Sequence, residues 1–263
     1  MSRIKNIFNK HKIYFIYLFI IIFLLLCISL FGQLYPFGNN TLVKMDLSSQ
    51  YYQYLTEIYN RVYNGNSLIY SFNAGIGLPL YRNFFNYLCS PFNLIYLLSN
   101  NHILSIHLII YFKIIAIGFT MLFYLKKKFK TDNILLIIPT LCYALSGWVD
   151  AFYLNIMWLD GLIVLPLITL GIEEFIDHKK YKLYIFTLVY SLITNYYISY
   201  MICFYILIYF LIYNVYKIKK EGTLKYKINE LSRNLVYFGI TTIIAFLISA
   251  IVLLPLIKAL ICI

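Results

Sequence analysis

The chain has 263 residues, 62% of them apolar and only 12% charged, with a formal net charge of +12. Water-soluble domains carry about half apolar and a quarter charged residues, so this composition excludes one and requires an integral membrane protein. The excess positive charge gathers between apolar runs, where anionic lipid headgroups are its counterions, so no nucleic-acid partner is expected.

Crossing about 30 Å of hydrocarbon takes about 20 helical residues. Apolar runs of roughly that length recur near 13–31, 102–125, 133–149, 157–176, 182–194, 197–216 and 234–257. Each is expected to be helical, because lipid offers backbone amides no partners. The predicted fold is therefore all-α, a polytopic transmembrane bundle of about seven spans forming a single integral membrane domain over 1–263. The first run follows a basic start and ends in "LLLC", yet it continues past Cys27 to Phe31 with no small residue before the cysteine. It reads as an uncleaved anchor. The fifth and sixth runs share 183–216, short for two full crossings, which predicts a break around Thr194, Asn195 and Tyr196.

Lysine and arginine collect in cytoplasmic loops. A cytoplasmic N-terminus puts seventeen of them inside and leaves three, Lys44, Arg61 and Arg82, outside, with Lys113 and Lys258 falling within spans. The five cysteines show no pair spacing and are expected to be core residues. His102 and His107 read as interfacial packing at the head of the second span.

The long hydrophilic segment, 32–101, then lies outside. Within it, Leu47, Tyr51, Tyr54, Leu55, Ile58, Tyr59 and Val62 recur at three-and-four spacing, opposite a polar face of Ser48, Ser49, Tyr52, Gln53, Thr56, Glu57, Asn60 and Arg61. This predicts an amphipathic helix over 47–63 in the outer interface, stopped by Asn64 and Gly65. Asp46 stands at its N-cap, where a carboxylate accepts the first free amides. Against that purely structural role stands its company. Gln50 lies one turn along, a Gly-bearing loop follows in "YSFNAGIGLPLYRNFFNYLCSPFNLIYLL", and Asp150 and Asp160 flank Asn155 and Trp158 in the next external turn. The third external turn, "LITNYYISYMICFY", offers Asn195 with Tyr196, Tyr197 and Tyr200.

The motifs "MDLSSQYYQYL", "GIGLPLYRNFFNYLCSPFNLIYLL", "NIMWLDGLIVLPLITLGIEEFI" and "TNYYISYMICFYILIYF" occur in this order. Over about 13–258 the chain thereby resembles the N-terminal part of the bacterial YfhO-type membrane proteins. The resemblance implies a GT-C-type glycosyltransferase of the bacterial cell membrane, moving a sugar from a polyprenyl-phosphate carrier to a cell-envelope polymer such as a teichoic acid on the outer face. It also implies that Asp46, in the first external loop, is the essential aspartate and general base. In the substrate site it would be joined by Gln50, Tyr51, Arg82, Asn155, Trp158, Asp160, Asn195, Tyr196 and Tyr197. The departing phosphate needs a cation. Arg82, with Lys44 and Arg61 behind it, or a divalent metal ion held by Asp150 and Asp160, would supply one. YfhO-type proteins are usually much longer, so a truncated chain is expected. The rival reading is a transporter or flippase for lipid-linked sugars, or a non-catalytic scaffold. Transport sites favour ionisable groups near the bilayer midplane, where this chain offers mainly Lys113.

Overall fold

The computed structural model describes residues 2–73, 77–218 and 224–261. Gly75 of the expected loop, Lys219, Lys220 and Cys262 lie outside the described residues. The architecture is all-α apart from one small ribbon. Among the described residues five helical segments are long and apolar enough to cross a bilayer, spanning His11–Phe31, His102–Phe129, Ile134–Phe152, Tyr196–Lys217 and Tyr226–Lys258. The chain divides into two compact units, one of residues up to Asn66 with Pro91–Leu159, the other of Ser67–Ser90 with Asp160–Ile263.

In the first unit, α1 (Ser2–Phe31) packs along α5 (His102–Phe129). Gly118 makes the contact close, since a Cβ there would collide with the Tyr17 hydroxyl. Tyr17 is fully buried and donates to the Ile115 carbonyl at 2.9 Å. The third run is not one helix. A 3₁₀ turn at Ile134–Leu136 leads into α6 (Ile137–Ala144), and α7 (Gly147–Phe152) follows a break at Leu145 and Ser146. Ser146 is extended, with φ −68° and ψ 154°.

The expected amphipathic helix forms over its range, but in two parts. A π-helical turn at Leu47–Tyr51 runs into α2 (Tyr52–Tyr63), and Gly65 ends it in the left-handed region at φ +66°. The start of its apolar stripe is covered by protein: α2 packs on α4 (Leu94–Leu97) and α5, and Leu47, Tyr51 and Leu55 are buried while Val62 at the far end is exposed. The tyrosines serve this packing with their hydroxyls. Tyr59 donates to Asn100 Oδ1 at 2.5 Å, Tyr63 to the Leu97 carbonyl at 2.7 Å, and Tyr96 shares a 2.6 Å hydrogen bond with Thr56. His102 stacks on Tyr96 at 4.9 Å with Tyr59 edge-on at 4.6 Å. His107 pins the 35–42 loop. Its Nε2 accepts the Leu42 amide at 3.0 Å, so its Nδ1 carries the hydrogen given to the Tyr35 carbonyl.

In the second unit, β1 (Tyr70–Ser71) pairs antiparallel with β2 (Leu78–Pro79), Tyr70 opposite Pro79, and leads into α3 (Leu80–Asn83). This ribbon stands where the sequence suggested only a loop. Its core is formed by α8 (Leu159–His178), α9 (Lys182–Thr194), α10 (Tyr196–Ile218) and α11 (Leu224–Ile261), around Ile168, Ile172, Phe175, Leu188, Phe210 and Phe238. Gly171 lets α8 and α9 approach until a Cβ would lie 2.9 Å from the Tyr184 backbone. The break between α9 and α10 falls at Asn195, as expected, with extended φ −163° and ψ 103°.

A ladder joins α8 to α10. Tyr205 shares a hydrogen bond with Thr169, Tyr209 donates to Glu173 Oε1 at 2.6 Å and Tyr213 to Asp177 Oδ2 at 2.9 Å. The three rings stack at 5.6 and 5.8 Å between centroids. The fourth and fifth expected runs are α8 and α9, the latter of 13 residues. Neither is among the five helices that qualify alone: α9 is short, and α8 carries Asp160, Glu173, Glu174 and Asp177.

Candidate functional site

In the first unit the helix that follows Asp46 starts one residue earlier than its apolar spacing suggests. Met45 takes a left-handed φ of 44°, and the Lys44 carbonyl accepts the amides of Leu47 at 3.1 Å and Ser48 at 3.3 Å. Asp46 is itself helical (φ −57°, ψ −34°), and its side chain makes no capping hydrogen bond. The expected N-cap role is therefore corrected: with those amides already satisfied, nothing ahead of the carboxylate asks for a cap. Asp46 is exposed and has no hydrogen-bond or ion-pair partner among the described residues.

One turn on, Gln50 is half-buried, and Tyr51 is buried with its hydroxyl 3.3 Å from Asn155 Oδ1. This long hydrogen bond ties the segment after Asp46 to the turn at 153–158. The turn is closed by the Trp158 amide on the Asn155 carbonyl at 2.8 Å. From below, the buried Lys113 donates to the Ile156 carbonyl at 2.7 Å. Trp158 also packs on Phe152, with centroids 5.4 Å apart. The structure thus gathers Tyr51, Asn155 and Trp158 around one turn. Lys113 was noticed in the sequence for its depth, but its service to this turn, 43 residues away, has no local signature.

Two of the three cations expected outside, Arg61 and Lys44, fall in this unit. Arg61 is ion-paired with Glu57 one helical turn earlier and is neutralised there. Lys44 is exposed, two residues before Asp46.

The second unit holds Arg82, Asp160, Asn195, Tyr196 and Tyr197. Arg82, half-buried on α3, has no ion-pair partner among the described residues. Asp160 has no solvent exposure. Its Oδ1 accepts hydrogen bonds from Ser90 Oγ and Tyr190 Oη, each at 2.9 Å. It opens α8, where the free amide end of the helix favours negative charge. Both donors were missed as site residues. Tyr190 left one signal, since a tyrosine inside an apolar helix needs a partner for its hydroxyl. Asn195 caps α10: its Oδ1 accepts the amides of Tyr197 at 3.0 Å and Ile198 at 3.1 Å. Its buried Nδ2 has no partner among the described residues. Tyr196 is half-buried and Tyr197 exposed.

Asp150, exposed on α7, belongs to the first unit and Asp160 to the second. Among the described residues no group of three or more His, Cys, Asp or Glu side chains that could hold a metal ion is found. Cys27, Cys89, Cys142 and Cys203 are free, and burial pushes the Cys89 thiol up to about 12.

A family model described as "Bacterial membrane protein YfhO" matches residues 18–261. No curated protein and no solved structure matches the chain significantly.

Proposed function

Because the chain belongs to the family of bacterial membrane protein YfhO, we propose that it is a membrane glycosyltransferase of GT-C type. It transfers a sugar from a polyprenyl-phosphate carrier to a cell-envelope acceptor such as a teichoic acid. The proposed topology has seven crossings, with α8 and α9 completing the five long helices, the N-terminus in the cytoplasm and the site on the outer face. The distribution of lysine and arginine supports this orientation.

The observation that carries the reading is the carboxylate of Asp46, exposed and without a structural partner among the described residues. A charged group at the head of a packed helix that neither caps nor pairs is available for chemistry. In the proposed step Asp46 takes the proton of an acceptor hydroxyl as that oxygen bonds to the anomeric carbon. The bond from that carbon to the carrier phosphate breaks, and the phosphate leaves with the electron pair. Arg82 is the proposed partner of that phosphate, since Arg61 is already neutralised by Glu57. Gln50, Tyr51, Asn155, Trp158, Asn195, Tyr196 and Tyr197 are proposed to line the substrate path. Asp160 is proposed to hold the path's shape through Ser90 and Tyr190. Lys113, the charge that a transport reading would use, is engaged with the Ile156 carbonyl.

The test is envelope glycan composition in cells lacking the gene, complemented with the native chain or Asp46→Asn at matched membrane abundance. The reading expects the native chain to restore a missing sugar substituent and the variant to fail. Restoration by both removes Asp46 from the chemistry and favours transport or scaffolding.

A further inference from the structure

The first unit contains a cavity of about 420 Å³ that the proposed transfer step does not use. Small-molecule sites commonly measure about 300–1,000 Å³. Leu25 and Ile28 of α1 and Ile110 and Ile114 of α5 form its walls, so it opens among the side chains of two membrane-crossing helices. Its other side is the break between α6 and α7, which contributes Ser146, Asp150 and Tyr153. Gly147, also in the lining, carries no side chain to narrow it, and a Cβ there would meet nothing within 4 Å.

The polar groups of this lining are unspent. The Ser146 and Tyr153 hydroxyls and the Asp150 carboxylate have no hydrogen-bond partner among the described residues. Tyr111, by contrast, is engaged with Ser29 at 2.6 Å. Burial and the charge of Asp150 hold the Tyr153 phenol above its usual range, so it stays a hydrogen-bond donor. No lysine or arginine lines the space.

We propose that this cavity binds a lipid with a neutral, hydroxyl-bearing head, its hydrocarbon between α1 and α5 and its hydroxyls on Ser146, Asp150 and Tyr153. The walls demand an apolar chain. The rim selects the head: a carboxylate accepts hydrogen bonds from hydroxyls and repels a phosphate, and no cation in the lining offsets that repulsion. A lipid phosphate is therefore the wrong occupant, which makes this site distinct from any that holds a polyprenyl-phosphate donor. The lipid site is independent of the transferase reading, because binding is measured without turnover.

The experiment is native mass spectrometry of the full chain in detergent, offered a monoglucosyl diacylglycerol, phosphatidylglycerol and phosphatidylethanolamine of matched acyl chains. The native chain is expected to retain the glycolipid over phosphatidylglycerol by about tenfold. Asp150→Asn removes a charge that pairs with nothing among the described residues, so it folds, and it is expected to cut that preference to about threefold or less by admitting the phosphate. Ile110→Trp fills the cavity and lowers retention of every lipid. Equal retention of phosphatidylglycerol by the native chain, or a preference unchanged in Asp150→Asn, overturns the proposal. Strongest retention of phosphatidylethanolamine also overturns it, in favour of a cation site.

Discussion

Tyr190 donates its phenolic hydrogen to Asp160 Oδ1 at 2.9 Å, beside the Ser90 hydroxyl at the same distance. A carboxylate with no solvent exposure is thus met by two uncharged donors from segments far away in the chain. Removing one donor to a buried charge costs its desolvation as well as the bond. Tyr190→Phe keeps the ring and loses only the hydroxyl, and is expected to destabilise the protein by about 1–3 kcal/mol. Thermal unfolding in detergent measures this, and the same substitution on exposed Tyr200 is the control.

Asp46 is expected to behave in the opposite way. Its carboxylate has no hydrogen-bond or ion-pair partner among the described residues, so Asp46→Asn is expected to change stability by no more than about 0.5 kcal/mol. A marked loss of stability in this variant would reveal a structural role and undercut its use as a base.

Gly171 sits where α8 and α9 nearly touch, with the Tyr184 backbone 2.9 Å from any added Cβ. Backbone yields less readily than a side chain, so Gly171→Ala must push the helices apart and is expected to cost about 1–3 kcal/mol. Gly147→Ala, where the Cβ meets open space, is the matched control. Unfolding curves for the two variants compare them directly.

The Cys89 thiol, pushed up to about 12 by burial, gives a pH-dependent signature. The thiolate is the reactive form, and raising the pKa shrinks its fraction at every pH below that value. An ordinary cysteine, with a pKa of about 8.5, nears full ionisation by about pH 10. In a chain with Cys89 as its single cysteine, alkylation is expected to be slow at neutral pH and still climbing with pH where an ordinary thiol has levelled off. A plateau near pH 9 would contradict the buried environment.

Which parts of this structure were readable from sequence follows from the range of the interactions involved. The break at Asn195 was legible because 34 residues are too few for two full crossings, a constraint visible within the segment itself. The interruption at Leu145 and Ser146 was not, since an apolar run continues on both sides of it. The stripe of Leu47, Tyr51 and Leu55 was legible from periodicity, whereas its cover by α4 and α5 was not, because periodicity says which face is buried and never what buries it. The cap expected at Asp46 failed on a single residue, the left-handed Met45, which no spacing rule anticipates. Asp160 was legible as an unusual carboxylate, yet its donors stand 70 and 30 residues away, beyond the reach of any local pattern.

The ladder between α8 and α10 bears on how the protein is made. Glu173 and Asp177 meet Tyr209 and Tyr213 at a constant offset of 36 residues. Both acids lie in the last six residues of α8, and a carboxylate taken out of water there needs hydrogen-bond donors. During synthesis α8 emerges first, while the phenols that receive its acids are still unmade. It is these acids, and not a lack of apolar residues, that keep α8 from the helices that qualify unaided. In the proposed topology, the acids of α8 gain their phenolic partners only once α10 is made. That topology therefore expects α8, α9 and α10 to enter the bilayer together, the tyrosines of the last receiving the acids of the first.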